Sequence, residues 1–393
     1  MKLLLSDNQL HLRFAPLTLT RPLAELRCGL FTNTERWKHL LPGAQIGYQT
    51  ESYLQGKYPS REGIWINAQV IPDVQLAKAV SELKVGEKLY MNSVLLAQNG
   101  AGNYKTAYSD SNLIILENRW DLYLLNAAIL KQDFTWFTKG QTSAELKESN
   151  RLIGPADQLF IEEGARVEGA ILNTNEGPIY IGKNAEVMEG ALLRGPLSLC
   201  DGAVVKMGAK IYGATTVGPE CRVGGEVSNC LFQGYSNKGH DGFLGNALIG
   251  EWCNLGADTN CSNLKNNYGK VSTYSYEAQD QVKTDQLFMG LTMGDHSKSA
   301  INVQFNTASV VGVCSNVFCS HFPEKHIASF EWVSDAASEK YRLDKAIEAA
   351  TAMMARRKVA LSPEERQIFE FLANNRLFCS VSAFGMHLDT PPA

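Results

Sequence analysis

Every sixth residue from Ile181 is aliphatic: Ile181, Val187, Leu193, Leu199, Val205, Ile211, Val217 and Val223. If such residues fill roughly a fifth of positions, a run like this arises by chance on the order of 10⁻⁵ of the time or less from one start point. A small residue stands four places after most of them: Ala185, Ala191, Ala203, Ala209, Thr215 and Cys221. Ile161 and Val167 share the spacing. After a break, the series resumes at Phe243, Ile249, Leu255 and Cys261, with Ala247, Cys253 and Thr259 in the small position. A period of six matches neither the 3.6 of a helix nor the 2 of an ordinary strand. It predicts a parallel β-helix, in which each hexad is one short strand plus a corner. The aliphatic side chains stack inside the prism, and the small residues fit its corners. A glycine-rich sandwich with accidental spacing is the alternative, and eight residues in phase argue against it.

The phase breaks at residues 229–242 and 262–286. Insertions in solenoids become external loops on one face, often the binding face. Residues 289–317 read as closing coils of weaker phase and contain Gly294-Asp295-His296-Ser297-Lys298.

The flanks follow other periods. In residues 1–140, apolar runs at 2–5, 64–66 and 113–116 predict buried strands, and 23–41 and 122–130 predict helices. The alternation suggests an α/β domain. Residues 141–152 are polar and read as a linker, 153–330 as the β-helix domain, and 331–393 as a helical tail. In that tail Leu343, Ile347, Ala350 and Met354 form one apolar face. They predict a helix over 337–358, with Arg356, Arg357 and Lys358 suited to its C-terminal dipole. Ser362-Pro363-Glu364-Glu365 predicts a second helix: Ser as N-cap, Pro in the first position, Glu365 closing a capping box.

Composition narrows the function. The 393 residues are 45% hydrophobic and 20% charged, enough for a large core and against wholesale disorder. Lys plus Arg total 37 against 41 Asp plus Glu, a net charge of −4, which argues against a nucleic-acid or anionic-membrane partner. Nine Cys, with no Cys-x-x-Cys pair, argue for free thiols in a reducing cytoplasm rather than disulfides or zinc. The apolar run at the N-terminus is too short for a signal peptide or a span. The seven His fall into no metal-ligand spacing, and no Ser-His-Asp signature is evident.

Ser236-Asn237-Lys238-Gly239-His240-Asp241-Gly242-Phe243-Leu244-Gly245 and Glu251-Trp252-Cys253-Asn254-Leu255-Gly256-Ala257 are the most specific strings. With residues 263–268 and 294–298, they make the chain resemble two-domain bacterial proteins akin to the bifunctional UDP-N-acetylglucosamine pyrophosphorylase and glucosamine-1-phosphate N-acetyltransferase. The nearer likeness is to the shorter sugar nucleotidyltransferase branch of that group. The resemblance implies a left-handed β-helix, a homotrimer and acetyl-CoA as acyl donor. It implies His240 as acyltransfer base, Asn254 as the matching Asn of the next coil, and Ala257 in the CoA groove. The sequence departs at Phe243, where the family has Tyr. It departs again near Ser228, where the family has a phosphate-gripping Lys, leaving Lys210, Lys238, Lys265 and Lys270 as candidate cations. The chemistry of His240 stands by itself: amide formation needs an unprotonated amine, and a neutral imidazole can take its proton. Backbone N–H groups at a corner suit the oxyanion. His296, beside Asp295, is the rival.

Arg13-Phe14-Ala15-Pro16-Leu17-Thr18-Leu19-Thr20-Arg21-Pro22 is similar to the Arg-x-x-Pro-Leu-Thr signature of sugar-phosphate nucleotidyltransferases. That likeness implies phosphate contacts by Arg13 and Arg21 and Mg²⁺ on a triphosphate. The family's Gly-rich phosphate turn is replaced by Asp7-Asn8-Gln9-Leu10-His11-Leu12. A family Lys is missing too, with Leu23 and Ala24 in its place. Asp7 and Asp110 are the candidate metal carboxylates. The combined reading is an enzyme of sugar-nucleotide synthesis, acting on sugar phosphates and nucleotides. It N-acetylates an amino sugar 1-phosphate, transfers a nucleotidyl group to a sugar 1-phosphate, or both. The alternative is a trimeric, non-catalytic ligand-binding scaffold with a relic N-terminal domain.

Overall fold

The hexads become strands of two to four residues in three parallel sheets. The computed structural model describes residues 1–109 and 113–379, so Asp110 lies outside the described residues. Neighbouring coils align Ile181 with Leu199, Val187 with Val205 and Leu193 with Ile211, each pair three hexads apart. Those side chains are at most 2% exposed, and Ala185, Ala191, Ala203 and Ala209 are fully buried at the corners. The result is a left-handed parallel β-helix whose core is one aliphatic column.

The break at 229–242 is not an external loop. Leu231–Gly234 and Asn237–Lys238 continue two of the sheets. Val217 pairs with Phe232 and Val223 with Lys238, fifteen residues apart instead of eighteen. The coil is shortened, so the period slips while the stacking persists. Lys238 thereby takes the inward place that Val223 holds one coil earlier. Residues 262–286 do leave the coil, as an antiparallel hairpin of Ser272–Ser275 and Asp280–Lys283.

The N-terminal domain is a six-stranded sheet in the order Gln45–Gln49, Lys2–Ser6, Ile64–Asn67, Val94–Gln98, Glu87–Met91, Tyr104–Ala107. Its first three strands are parallel. The single helix expected over 23–41 is three pieces: a 3-10 turn at Leu23–Glu25, a two-stranded ribbon, and a helix at Asn33–Leu40. Gly29 turns the ribbon at φ +69° against Asp133, where a Cβ has no room. Thr32 caps the helix through a box with Glu35, which is where the helical pattern can begin. Residues 113–116 supply only a bridge from Ile115 to Val70. The expected helix at 122–130 is Asp121–Leu124 followed by Asn126–Phe137.

This domain lies along the nine-stranded face of the solenoid. Leu231 and Leu248 enter its core. Asn126 donates to Ala214 O at 2.8 Å, and Thr216 donates to Gly29 O at 2.9 Å. The polar stretch before the solenoid is itself bound to the coils: Ala144 N donates to Ile161 O, and Arg151–Ile153 pairs with Ile171–Asn173.

The tail pattern is realised with a later start. Residues Ser338–Lys340 pair antiparallel to Glu331–Ser334, and the helix runs Leu343–Ala355 with Ile347, Ala350 and Met354 buried. Pro363–Asn374 opens on Ser362 with both halves of the capping box formed. These helices pack on Leu19, Val310, Val313 and Phe330, joining domain, solenoid and tail.

Candidate functional site

The shortened coil shapes the first site. After Asn237–Lys238 the chain bends through residues 239–242, with Gly242 at φ +114°, into Phe243–Gly245. Lys238 is 1% exposed, and its Nζ donates to His240 O at 2.5 Å and Asp241 O at 3.0 Å. Burial pulls its pKa down to about 8. Its ammonium therefore pins the corner from inside and is not a surface cation for phosphate, as the sequence suggested. His240 is exposed, and its ring has no hydrogen-bond partner among the described residues. Asn237 Nδ2 donates to Asn254 Oδ1 of the next coil at 3.0 Å, and Asn302 N donates to Ala257 O at 2.8 Å.

The other candidate lysines stand elsewhere. Lys210 faces Glu226 at 3.9 Å on the solenoid sheet that also carries Leu193 and Ile211. Lys265 donates to Lys270 O, and Lys270 pairs with Asp285, so both are engaged within the excursion. Lys206, which the sequence did not single out, brings its Cγ near Gly239, while its Nζ lies 3.9 Å from Met188 Sδ. The available signal was its place directly after the inward Val205, on a corner below the His240 bend.

The second site is closed. Arg21 Nη1 meets Glu251 Oε1 at 2.8 Å, and Nη2 meets Asp295 Oδ2. Thr20 Oγ1 donates to Asp295 Oδ2 at 2.6 Å, and Glu251 N donates to Asp295 Oδ1 at 2.8 Å. His296 is 5% exposed, stacked over Trp252 at 6.2 Å with the edge of Phe369 at 5.2 Å. Burial lowers its pKa to about 3, so the ring is neutral. The void beside it is about 10 Å³, room for no sugar. His296 is a packed core histidine, and Arg21 is an interdomain tie rather than a phosphate ligand. Arg13 pairs with Glu277 of the hairpin at 3.1 Å, on the surface.

A third site lies beyond the C-terminal ends of the parallel strands, where open α/β sheets bind ligands. This crevice holds about 330 Å³ and is lined in part by Asn8, Gln9, Gln49, Thr50, Glu51 and Trp65. Asn8 and Gln9 have φ of +49° and +63°. The loop therefore keeps a left-handed turn without glycine, at a cost in backbone strain. Asp7 is buried in supporting it: Oδ1 accepts from Leu23 N at 2.8 Å, and Oδ2 accepts from Thr50 at 2.5 Å and meets His11 Nδ1 at 3.1 Å. That use leaves Asp7 unsuited to a metal. Neither Lys nor Arg lines the crevice. Among the described residues no three His, Cys, Asp or Glu gather as a metal site, and Asp110 lies outside the described residues. Also among the described residues, no helix is long and apolar enough to cross a membrane.

Residues 3–142 match the family model described as sugar nucleotidyl transferase. The bifunctional protein GlmU of Trichormus variabilis (strain ATCC 29413 / PCC 7937) is 28% identical over 142 residues, covering 35% of this chain and 29% of that protein. The chain thus matches under a third of that relative's length. The N-terminal domain resembles sugar nucleotidyl transferases, and the chain as a whole is similar to GlmU over about a third of its length. Among solved structures, the Arabidopsis UDP-N-acetylglucosamine acyltransferase is 14% identical, covering 60% of this chain and 90% of its own, with a TM-score of 0.21. The Francisella novicida UDP-N-acetylglucosamine acyltransferase is 13% identical, covering 61% and 92%, with a TM-score of 0.18.

Proposed function

We propose that this protein is a transferase of sugar-nucleotide synthesis that moves the acetyl group of acetyl-CoA to the nitrogen of an amino sugar 1-phosphate, with His240 as general base. The observation that carries this reading is an exposed imidazole, without a hydrogen-bond partner among the described residues, on a corner held from beneath by a buried lysine. The amine attacks the thioester carbon, His240 takes its proton, the C–S bond breaks, and the proton passes to the departing thiolate. General bases of this kind contribute about 10²–10⁴-fold. The Asn237–Asn254 amide pair orients the acceptor, Lys206 swings off Met188 to meet its phosphate, and the edge at Ala257 receives the CoA. A homotrimer completes the cleft with a neighbouring chain.

The test is thiol release from acetyl-CoA with glucosamine 1-phosphate and a panel of other amino sugar 1-phosphates. Release should fall at least about 100-fold in His240→Ala. Release indifferent to that substitution, or none with any acceptor, removes the reading. A monomer by light scattering contradicts the shared cleft.

A second reading, nucleotidyl transfer to a sugar 1-phosphate, is favoured by the family-model match and the crevice beside Trp65. It must work without Arg21, whose guanidinium is buried between Glu251 and Asp295. Pyrophosphate release from a nucleoside triphosphate and a sugar 1-phosphate decides it. Binding without turnover at either site supports the scaffold.

A further inference from the structure

A separate cavity of about 470 Å³ opens where the N-terminal domain meets the early coils, within the size range of small-molecule sites. One wall is aromatic: Phe31 lies 4.8 Å from His39 and 4.9 Å from Phe137. The opposite wall comes from three successive coils and presents Glu162, Tyr180, Lys183 and Asp201. Phe137 meets Tyr180 across the gap at 6.0 Å.

The polar groups are only partly used. Glu162 Oε1 accepts from Tyr180 at 2.9 Å, and Asp201 Oδ1 accepts from Lys183 N at 3.0 Å, leaving the second oxygen of each carboxylate without a partner among the described residues. Lys183 is exposed, and its ammonium has no partner among the described residues. Arg27, 7% exposed, donates to Leu30 O at 2.7 Å and to Glu35 Oε1 at 2.8 Å, while its buried Nε–H lacks an acceptor. The wall itself is rigid: Arg27 N donates to Gln233 Oε1 at 2.6 Å, and Gln233 Nε2 donates back to Arg27 O at 3.1 Å.

We propose that this interdomain cavity binds a nucleoside monophosphate. The base lies against Phe31 and Phe137. The ribose hydroxyls donate to Glu162 and Asp201. The phosphate sits on Lys183. Three lining carboxylates, Glu35, Glu162 and Asp201, face two cations, Arg27 and Lys183, so one phosphate is accepted and a triphosphate repelled. This site is distinct from the crevice at Trp65 and from the His240 corner, and a ligand here braces the domain against the solenoid.

The experiment is isothermal titration of the full chain with uridine and adenosine 5′-monophosphates, with uridine 5′-triphosphate and inorganic phosphate as comparisons. Uridine or adenosine 5′-monophosphate should bind with sub-millimolar affinity and at least about tenfold more tightly than either comparison. Lys183→Ala and Asp201→Asn should each weaken it about tenfold without moving the melting temperature, since both side chains are exposed. Trp65→Ala, in the crevice, should leave it unchanged. Absence of heat with both monophosphates at millimolar concentration overturns the proposal. So does binding lost in Trp65→Ala but intact in Lys183→Ala.

Discussion

The bend at His240 and the knot at His296 are built from similar residues, a histidine beside an aspartate at a solenoid corner with a lysine two places away. What lies over them separates their chemistry. Among the described residues nothing covers the first, so its imidazole is exposed. The second lies beneath the tail helix and against the N-terminal domain, wedged between Trp252 and Phe369, with its neighbouring aspartate clamped by Arg21. A motif supplies the groups, and the covering decides whether they can meet a substrate.

The contrast is sharpest at Arg21. Replacing it by Met leaves Asp295, a buried carboxylate, without its guanidinium, and breaking such a pair costs about 3–5 kcal/mol. Urea unfolding of Arg21→Met should show a loss of that size, and Asp295→Asn in the same chain should recover part of it. An unchanged midpoint would mean the knot does not hold the domains.

Acid should expose the same knot. With a folded pKa of about 3, His296 takes up a proton more readily in the unfolded chain, whose value is near 6.5. Its stabilising contribution is therefore complete above about pH 6.5 and drains away as pH falls toward 3, at up to roughly 1.4 kcal/mol per unit. His326, lowered to about 4, acts in the same direction. Thermal melts from pH 7 to 4 should steepen accordingly, and His296→Asn should flatten part of the slope.

At the open corner the expected change is in rate more than in stability. Lys238→Met removes two donors from the His240 and Asp241 carbonyls while leaving an unbranched apolar chain in the column. Thiol release should fall about tenfold, with stability changed by only about 1 kcal/mol. Equal loss of both would make Lys238 a packing residue alone. Smallest of all is Arg13→Ala: its pair with Glu277 is solvent-exposed and worth under about 1 kcal/mol, and nucleotide binding in the crevice should not notice it.

Local physics explains which elements could be read in advance. The hexad period survives because each aliphatic residue stacks on its equivalent three hexads later, and the Ser362 box forms because its partners are three residues apart. The 23–41 helix failed at Gly29, whose tight approach to Asp133 is set by a helix a hundred residues away. Lys238 read as a surface cation because nothing local reveals that its coil is three residues short. Arg21 read as a phosphate ligand because Glu251 and Asp295 are far off in the chain.

The amino-acid order alone determined the stacked coil, its corners and the presence of an imidazole at residue 240, since these depend on spacing and side-chain size. Only the tertiary structure decided which cations stay free and which histidine stays wet. Those outcomes turn on desolvation, and desolvation depends on which distant segments come to lie on top.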